Sequence, residues 1–262
     1  MRDLDSFYDS GMADFGLPVR AINVAGKYIV GTALRLIFRA RYENREILDR
    51  LPEGRPVIIA GNHSSYTDPL FVVDCVWPRH IRFIAKAQLF THFALRRILA
   101  WFGVFPVHPG AGGRKAIKRA IASLKRGELV GIFPEGTRVK ERDKSKVEHS
   151  DGAALIAKMA DAIIVPVGIQ GTIDISPDGS KRLHFPKVIM RFGEPVDWRD
   201  FPGLAKNELF KAVTDEVMRR VYALAEGRDP GPMPEQEGKP EESDASIEAG
   251  DAAPEAVAGE ER

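Results

Sequence analysis

The stretch PVIIAGNHSSYTDP, residues 56–69, joins an apolar run to a loop of small and hydroxyl-bearing residues. Its first five residues have the length and β-branched content of a buried strand, and residues 69–77 favour a helix after the loop. In open parallel sheets, ligands bind in the crevice beyond the carboxyl ends of the strands. The stretch therefore predicts a strand, a loop and a helix of an α/β fold, with His63 and Asp68 in a loop suited to function.

Helical and strand patterns alternate through most of the chain. The predicted helices span 18–41, 69–77, 91–102, 113–126, 151–160 and 204–226, and the predicted strands span 56–60, 81–85, 129–133, 163–169 and 187–192. Strands separated by helices favour an α/β fold with a mostly parallel sheet flanked by helices. With 262 residues, 44% of them hydrophobic, the chain is long enough for one sizeable domain or at most two small ones.

The net charge of +1 conceals an uneven distribution. Residues 229–262 carry eleven acidic and two basic side chains, which leaves 36 basic and 26 acidic residues in 1–228. The tail is rich in Pro, Gly, Glu and Ala and has no aromatic residue, so we expect 229–262 to be a disordered acidic tail. A basic body indicates an anionic partner, for which nucleic acid, a membrane surface and phosphorylated small molecules stay open. No nucleic-acid-binding motif accompanies the charge, so we expect no nucleic acid partner.

Several classes of protein are disfavoured by composition. The single Cys75 excludes an intramolecular disulfide framework and a cysteine-rich zinc site, and its apolar surroundings, FVVDCVW, predict a core thiol. No apolar run approaches the roughly eighteen residues of a spanning helix. The polar N-terminus lacks the apolar segment of a signal peptide, so we expect a cytoplasmic protein.

His63 and Asp68 allow two interpretations. Asp68 followed by Pro69 is typical of a helix N-cap, in which case His63 is a polar residue in a turn. Alternatively, a carboxylate against one ring nitrogen fixes the imidazole as a general base. The neighbouring serines suggest a Ser-His-Asp triad, but the chain has no G-x-S-x-G elbow. On the second interpretation, His63 would activate a hydroxyl of the substrate.

A second strand–loop boundary lies at LVGIFPEGTRVK, residues 129–140. Gly136 allows a tight turn, and the planar guanidinium of Arg138 suits a phosphate or a carboxylate. Ordinary turn chemistry with an exposed arginine is the other interpretation. If both loops follow strands of one parallel sheet, a base and an anion-binding group lie at one crevice.

These residues together resemble the glycerolipid acyltransferases typified by 1-acylglycerol-3-phosphate acyltransferase. NHSSYTD matches the N-H-x4-D motif of that family, and IFPEGTR matches its F-P-E-G-T-R motif. Three further segments, FIAKAQLF (83–90), GAALIAKMA (152–160) and IIVPVGI (163–169), follow in the family's order. The resemblance covers roughly residues 30–200.

The resemblance implies transfer of a fatty acyl group from coenzyme A or acyl carrier protein to a glycerolipid hydroxyl, with 1-acylglycerol-3-phosphate as the first choice of acceptor and phosphatidic acid as product. His63 would be the general base and Asp68 its orienting carboxylate. The implied substrate-binding residues, which also shape the loops, are Asn62, Lys86, Glu135, Gly136, Thr137 and Arg138. No metal and no bound cofactor is implied. Residues 46–228 would form the acyltransferase domain.

One segment departs from the family. GVFPVHPG, residues 103–110, has His108-Pro109 where the family commonly has Asp-Arg, and proline has no side-chain ligand for phosphate. Arg114 and Lys115 would be possible substitutes at the start of the next helix. The acceptor therefore stays open between 1-acylglycerol-3-phosphate and another lysophospholipid or hydroxyl lipid. A more distant alternative is a non-catalytic protein that binds anionic lipid.

An acceptor with a fatty tail resides in a bilayer. Helix 18–41 combines apolar residues with five Lys and Arg side chains, which suits a helix lying among headgroups rather than spanning the membrane. We expect 1–45 to be a membrane-associating helical segment and the protein to sit peripherally on the cytoplasmic face, on a surface with anionic lipid. The stretch 89–105 is either a second contact or an ordinary packing helix.

Overall fold

A computed structural model describes residues 4–107, 113–139, 147–177 and 182–234. Met1–Gly231 form one compact unit. The expected disordered tail, 229–262, lies outside the described residues from position 235 onward, and so does the departure at His108-Pro109.

The described residues contain seven α-helices, several short 3-10 helices and seven strands. The helices are α1 (Leu4–Asp9), α2 (Leu17–Ile37), α3 (Asp68–Cys75), α4 (Phe93–Trp101), α5 (Gly113–Lys125), α6 (Gly152–Ala160) and α7 (Lys206–Ala225). The strands are β1 (Arg41–Glu43), β2 (Val57–Gly61), β3 (Ile81–Lys86), β4 (Val104–Val107), β5 (Leu129–Ile132), β6 (Ile163–Gln170) and β7 (Ile189–Phe192).

All seven strands join one sheet in the order β1-β7-β6-β2-β5-β3-β4. Five neighbouring pairs are parallel, and only β6 and β7 run antiparallel. The register at the centre pairs Ile58 of β2 with Val130 on one side and Ile164 on the other. The predicted α/β fold with a mostly parallel sheet is thereby confirmed.

Helices cover both faces of the sheet, which explains why its central strands are continuous apolar runs rather than alternating ones. Val57 and Ile59 of β2 pack in one core with Leu34 of α2 and Phe71 of α3. On the other face, α7 lies so close to β6 that a Cβ at Gly168 would collide with the backbone of Leu224 and Ala225. Cys75 is fully buried, and its thiol donates to the Val72 carbonyl at 3.1 Å.

The structure differs from the predicted elements at both edges of the sheet. Helix 18–41 was predicted too long: α2 ends at Ile37, and Arg39 adopts a left-handed φ of 47° that turns the chain into β1. Strands β1 and β4 were not predicted. β4 contains Pro106, which lacks a backbone N–H and is tolerated because β4 is an edge strand.

Helix α2 packs its more polar side inward. Asn23, Lys27, Gly31 and Leu34 are buried, while large apolar side chains on the opposite side are exposed. Arg35 and Asp74 of α3 form an ion pair at 2.8 Å, and a Cβ at Gly31 would collide with the same carboxylate. Within the described part of the chain, no helix is both long enough and apolar enough to cross a bilayer.

Candidate active site

His63 follows the carboxyl end of β2 and meets Asp68 across a tight loop. Its Nδ1 lies 2.9 Å from Asp68 Oδ2. Since an ionised carboxylate can only accept, Nδ1 carries the proton, and the lone pair of the neutral ring lies on Nε2. No side chain of the described residues hydrogen-bonds Nε2, and the His63 side chain is 19% exposed. The ring can therefore accept a proton from a bound hydroxyl.

Asp68 is held by the loop in front of it. The carboxylate is fully buried, and its Oδ2 also accepts the backbone N–H groups of Ser64 at 2.7 Å and Ser65 at 2.8 Å. This corrects the N-cap interpretation: α3 begins at Asp68 itself, Thr67 occupies the cap position, and the carboxylate points back towards the loop. Pro69 does fall in the first turn, as predicted.

The His63 ring is also fixed from the side. It stacks on Phe133 with ring centroids 4.4 Å apart and planes 19° from parallel. Phe133 stacks in turn on Phe83, with centroids 6.0 Å apart. Phe133 directly follows β5 and Phe83 lies in β3, so two neighbouring strands of the sheet set the plane of the imidazole.

Glu135 connects the second loop to the first through its buried carboxylate. One oxygen accepts the backbone N–H of His63 at 2.7 Å, and the other accepts the hydroxyl of Tyr222, on α7, at 2.8 Å. Burial raises the pKa of Glu135, while these two hydrogen bonds favour its charged form. Because the side chain is occupied on both oxygens, Glu135 holds the loop that carries His63.

Backbone contacts join the same loops. Val139 N–H donates to the His63 carbonyl at 2.7 Å, and Ser150 N–H donates to the Pro134 carbonyl at 2.8 Å. His149 Nε2 lies 3.0 Å from the Tyr222 hydroxyl, so the segment before α6 reaches the same network. Burial lowers the pKa of His149, which favours a neutral ring there.

Asn62 lies one position before His63 and is buried. Its amide nitrogen donates to the Ile169 carbonyl at 2.9 Å, and its amide oxygen accepts the Ile169 N–H at 2.7 Å. This two-point contact extends the pairing of β2 with β6 by one residue. The structure thus gives Asn62 a backbone partner and places it as a residue that positions the loop.

Arg138 and Tyr66 form an exposed pair beside the loop. The guanidinium carbon lies 3.5 Å from the centroid of the Tyr66 ring. Gly136 has a φ of 61°, which favours glycine and turns the chain between Glu135 and Arg138. Thr137 is exposed at the tip of this turn. Arg138 is therefore a solvent-facing cation next to the residue that contacts the His63 carbonyl.

Lys86 ends β3, two strands from β2, and its side chain is exposed. The structure places it at the carboxyl edge of the sheet but shows no contact between Lys86 and the His63 loop. Among the described residues, no three His, Cys, Asp or Glu side chains come together as a metal site requires.

Sequence reasoning missed three contributors to the site. Phe133 lies in the IFPEGTR motif with Arg138, and Tyr66 lies in the NHSSYTD motif with His63. Their places inside these two motifs were the available signal. Tyr222 offered none, because a tyrosine in a long helix is usual in a packed core. Lys115, which the sequence suggested as a phosphate ligand, has its Nζ 3.4 Å from Asp5 Oδ2 of α1 in an exposed ion pair.

The fold and the site together define a class: an α/β protein with a histidine–carboxylate pair at the carboxyl edge of its sheet, suited to activating a hydroxyl. A family model described as Acyltransferase matches residues 41–170. The chain is 35% identical over 178 residues to the 1-acyl-sn-glycerol-3-phosphate acyltransferase of Bacillus subtilis, covering 67% of this chain and 84% of that relative.

A protein of the same name from Streptococcus pneumoniae is 30% identical over 209 residues, covering 76% of this chain and 72% of the relative. The crystal structure of the 1-acyl-sn-glycerophosphate acyltransferase PlsC from Thermotoga maritima superposes with a TM-score of 0.61 at 25% identity, covering 86% of this chain and 83% of that chain. The chain belongs to the glycerolipid acyltransferase family and is an acyltransferase, as its motifs predicted.

Proposed function

We propose that this acyltransferase transfers a fatty acyl group from a thioester, acyl-coenzyme A or an acyl carrier protein, to the free hydroxyl of 1-acylglycerol-3-phosphate, which yields phosphatidic acid. The names of the relatives from Bacillus subtilis and Streptococcus pneumoniae support this acceptor. The observation that carries the chemistry is the 2.9 Å contact between His63 Nδ1 and the buried carboxylate of Asp68.

The reaction follows from the orientation of the ring. Nε2 of His63 takes the proton of the acceptor hydroxyl while the oxygen attacks the thioester carbonyl carbon. Asp68 stabilises the imidazolium that forms and keeps its Nδ1–H directed inward. When the tetrahedral intermediate collapses, the carbon–sulfur bond breaks, and the departing sulfur takes the proton from Nε2. His63 is thereby returned to its neutral form, and no covalent acyl-enzyme is needed.

Arg138 is the proposed ligand for the acceptor phosphate. It is exposed, and its neighbour Val139 hydrogen-bonds the His63 carbonyl, which keeps the guanidinium near the loop of the base. A planar guanidinium binds phosphate through two parallel hydrogen bonds. Holding the phosphate places the hydroxyl for attack in preference to water. Lys86 and Thr137 are further candidates for contact with substrate, whereas Glu135, Gly136 and Asn62 shape the loops.

Membrane association is proposed to occur through α2, with the protein peripheral on the cytoplasmic face. The outer side of this helix exposes apolar side chains, among them Leu17 at 77% and Ile29 at 70%. The inner side is anchored to α3 by the Arg35–Asp74 pair. A helix with a broad exposed apolar side and flanking arginines is suited to lie among lipid headgroups.

The test is release of free thiol from palmitoyl-coenzyme A in mixed micelles with and without 1-acylglycerol-3-phosphate. We expect acceptor-dependent release by the wild type and by His92→Ala, a matched change at an exposed histidine, and only a small residual rate by His63→Ala. Release that needs His63 but ignores the acceptor would indicate a thioesterase or a different acceptor, and a panel of lysophospholipids distinguishes these. Absence of transfer with palmitoyl-coenzyme A and with acyl carrier protein, in a folded protein that binds lipid vesicles, would favour the non-catalytic alternative.

A further inference from the structure

The segment 182–187 lies at the same edge of the sheet as the proposed base. Only Val188 separates it from β7, whose first residue, Ile189, pairs with Gln170, the last residue of β6. Ile189 also pairs with Arg41, where β1 begins after α2. Because β6 runs parallel to β2, this corner of the sheet is a carboxyl end, as is the end of β2 that leads into His63.

Side-chain contacts hold this segment against the end of α2. The ring of Phe38, which follows α2, packs on Phe185 with centroids 5.8 Å apart and on Phe71 of α3 with centroids 5.7 Å apart. Arg39 donates from its guanidinium to the Phe185 carbonyl at 2.7 Å. Three aromatic rings thus connect the surface of segment 182–187 to the helix that begins at Asp68.

The large apolar side chains at this corner face solvent. The exposed fractions are 75% for Leu36, 47% for Ile37, 67% for Leu183 and 55% for Phe185, and we call these four residues the apolar edge. Single exposed apolar residues are common on soluble proteins, but several grouped on two adjacent segments mark a surface that contacts an apolar partner.

Basic residues predominate on the two described segments that carry the apolar edge. No Asp or Glu occurs between Asp14 and Glu43 or from position 182 to position 193, whereas Arg39, Arg41 and Lys187 are exposed. Apolar side chains bordered by cations match an anionic bilayer, where the former enter the acyl region and the latter remain among the headgroups. One acidic residue, Asp174, is exposed nearby, because the carbonyl of the next residue, Ile175, accepts the His184 N–H at 2.9 Å. The three exposed cations outnumber it, so the net charge of the described part of this corner still matches an anionic surface.

We propose that segment 182–187 is a second membrane-contacting element, which inserts Leu183 and Phe185 into an anionic bilayer beside the C-terminal end of α2. The orientation that results places the carboxyl edge of the sheet, with His63, at the lipid surface. The functional meaning of this orientation rests on the proposed function, because an acceptor that resides in the bilayer requires the active site to face the lipid surface. The insertion itself can be measured without any substrate.

The single buried cysteine makes a direct test possible. Cys75 is fully buried and burial raises the pKa of its thiol, so a cysteine introduced at the surface is labelled selectively. The same environment-sensitive fluorophore is attached to Leu183→Cys and, as a control, to Met159→Cys. Met159 is 57% exposed and lies on α6, which packs between α5 and α7. With vesicles of phosphatidylglycerol and phosphatidylcholine in equal parts, we expect a blue shift at position 183 and none at 159. No shift at position 183 overturns the proposal.

A second measurement uses unlabelled protein. We expect Leu183→Ser combined with Phe185→Ser to weaken cosedimentation with the same vesicles by about tenfold or more, and Met159→Ser to leave it unchanged. Unchanged binding by the double variant overturns the proposal. The proposal is also overturned if, without vesicles, the wild type is a dimer and the double variant is a monomer. The apolar edge would then be covered by a second copy of the chain. Vesicle binding through the edge without acyl transfer would keep this inference and overturn the proposed function.

Discussion

The hydroxyl of Tyr222 donates a hydrogen bond of 2.8 Å to Glu135 Oε1, and the other oxygen of that carboxylate accepts the His63 N–H. A side chain near the end of α7 thus reaches the backbone of the proposed base through one intermediate. Hydrogen bonds to a buried charged group are worth about 1.5–3 kcal/mol each, more than bonds between neutral groups. The position of His63 therefore depends in part on the hydroxyl of Tyr222.

Tyr222→Phe removes the hydroxyl and keeps the ring. We expect kcat to fall several-fold while the KM for the acyl donor stays unchanged, because the base loses its position but no binding group is lost. Steady-state kinetics by thiol release provide the measurement, with Tyr28→Phe, at an exposed tyrosine of α2, as the control. A lower free energy of unfolding with unchanged kcat would show that the contact stabilises the fold alone.

Asp68→Asn replaces the buried carboxylate with an amide of the same shape. Because Oδ2 also accepts the N–H groups of Ser64 and Ser65, the amide oxygen should take its place, so the ring keeps its tautomer but loses the negative charge that stabilises the imidazolium. We expect kcat to decrease by about a hundredfold or more at neutral pH, with the thermal midpoint changed little.

A double-variant comparison separates orientation from an independent role of Asp68. When two residues act as one unit, the effects of changing them do not add. The double variant Asp68→Asn, His63→Ala should therefore be no slower than His63→Ala alone. If adding Asp68→Asn to His63→Ala lowers kcat by the same factor as adding it to the wild type, Asp68 contributes to the reaction independently of His63.

Local pattern was sufficient for the elements that carry their own signal. The predicted strand 163–169 is β6, and the predicted helix 113–126 is α5, each within one residue at either end. Strands β1 and β4 escaped prediction because they are short edge strands of three and four residues. They exist through pairing with β7 and β3, which a window of sequence cannot contain.

The site divides in the same way. His63 and Asp68 are five positions apart, so one loop contains their contact, and the motif around them was legible in sequence. Tyr222 and Glu135 are 87 positions apart, and the packing of α7 against the sheet and α6 brings them together. The resemblance placed Asn62 among the residues that bind substrate and shape the loops, but only the structure reveals its backbone partner, Ile169, 107 positions away.

The Tyr66 ring supports the guanidinium of Arg138, the proposed phosphate ligand. An exposed cation–π contact is worth about 0.5–1 kcal/mol, so we expect Tyr66→Ala to raise the KM for 1-acylglycerol-3-phosphate by about two- to fivefold, with kcat little changed. Tyr66→Phe keeps the ring and should behave as the wild type. Arg138→Ala should have a larger effect on the same KM. A Tyr66→Phe enzyme as impaired as Tyr66→Ala would assign the effect to the phenolic hydroxyl instead.

Lys27 is an unusual inward-facing residue of α2. It is buried, its Nζ has no hydrogen-bond partner among the described residues, and the face of the Trp77 ring lies 4.7 Å away. Burial lowers its pKa from 10.5 to about 8, because desolvation disfavours the charged form more than the ring stabilises it. The protein therefore holds a cation under α2 at neutral pH without a carboxylate beside it.

Lys27→Met keeps the length of the side chain and removes the charge, and we expect it to stabilise the protein by about 1–2 kcal/mol at pH 7. Between about pH 8 and 10.5, the native state of the wild type binds fewer protons than the unfolded state, so wild-type stability rises with pH relative to the variant. The stabilisation by Lys27→Met should thus be full below pH 8 and shrink as the pH approaches 10.5. Urea unfolding of both proteins at pH 7 and pH 9.5 measures the difference. A stabilisation that is the same at both pH values would mean that Lys27 titrates at its usual pKa, and a destabilised variant would mean that the contact with Trp77 outweighs the cost of burial.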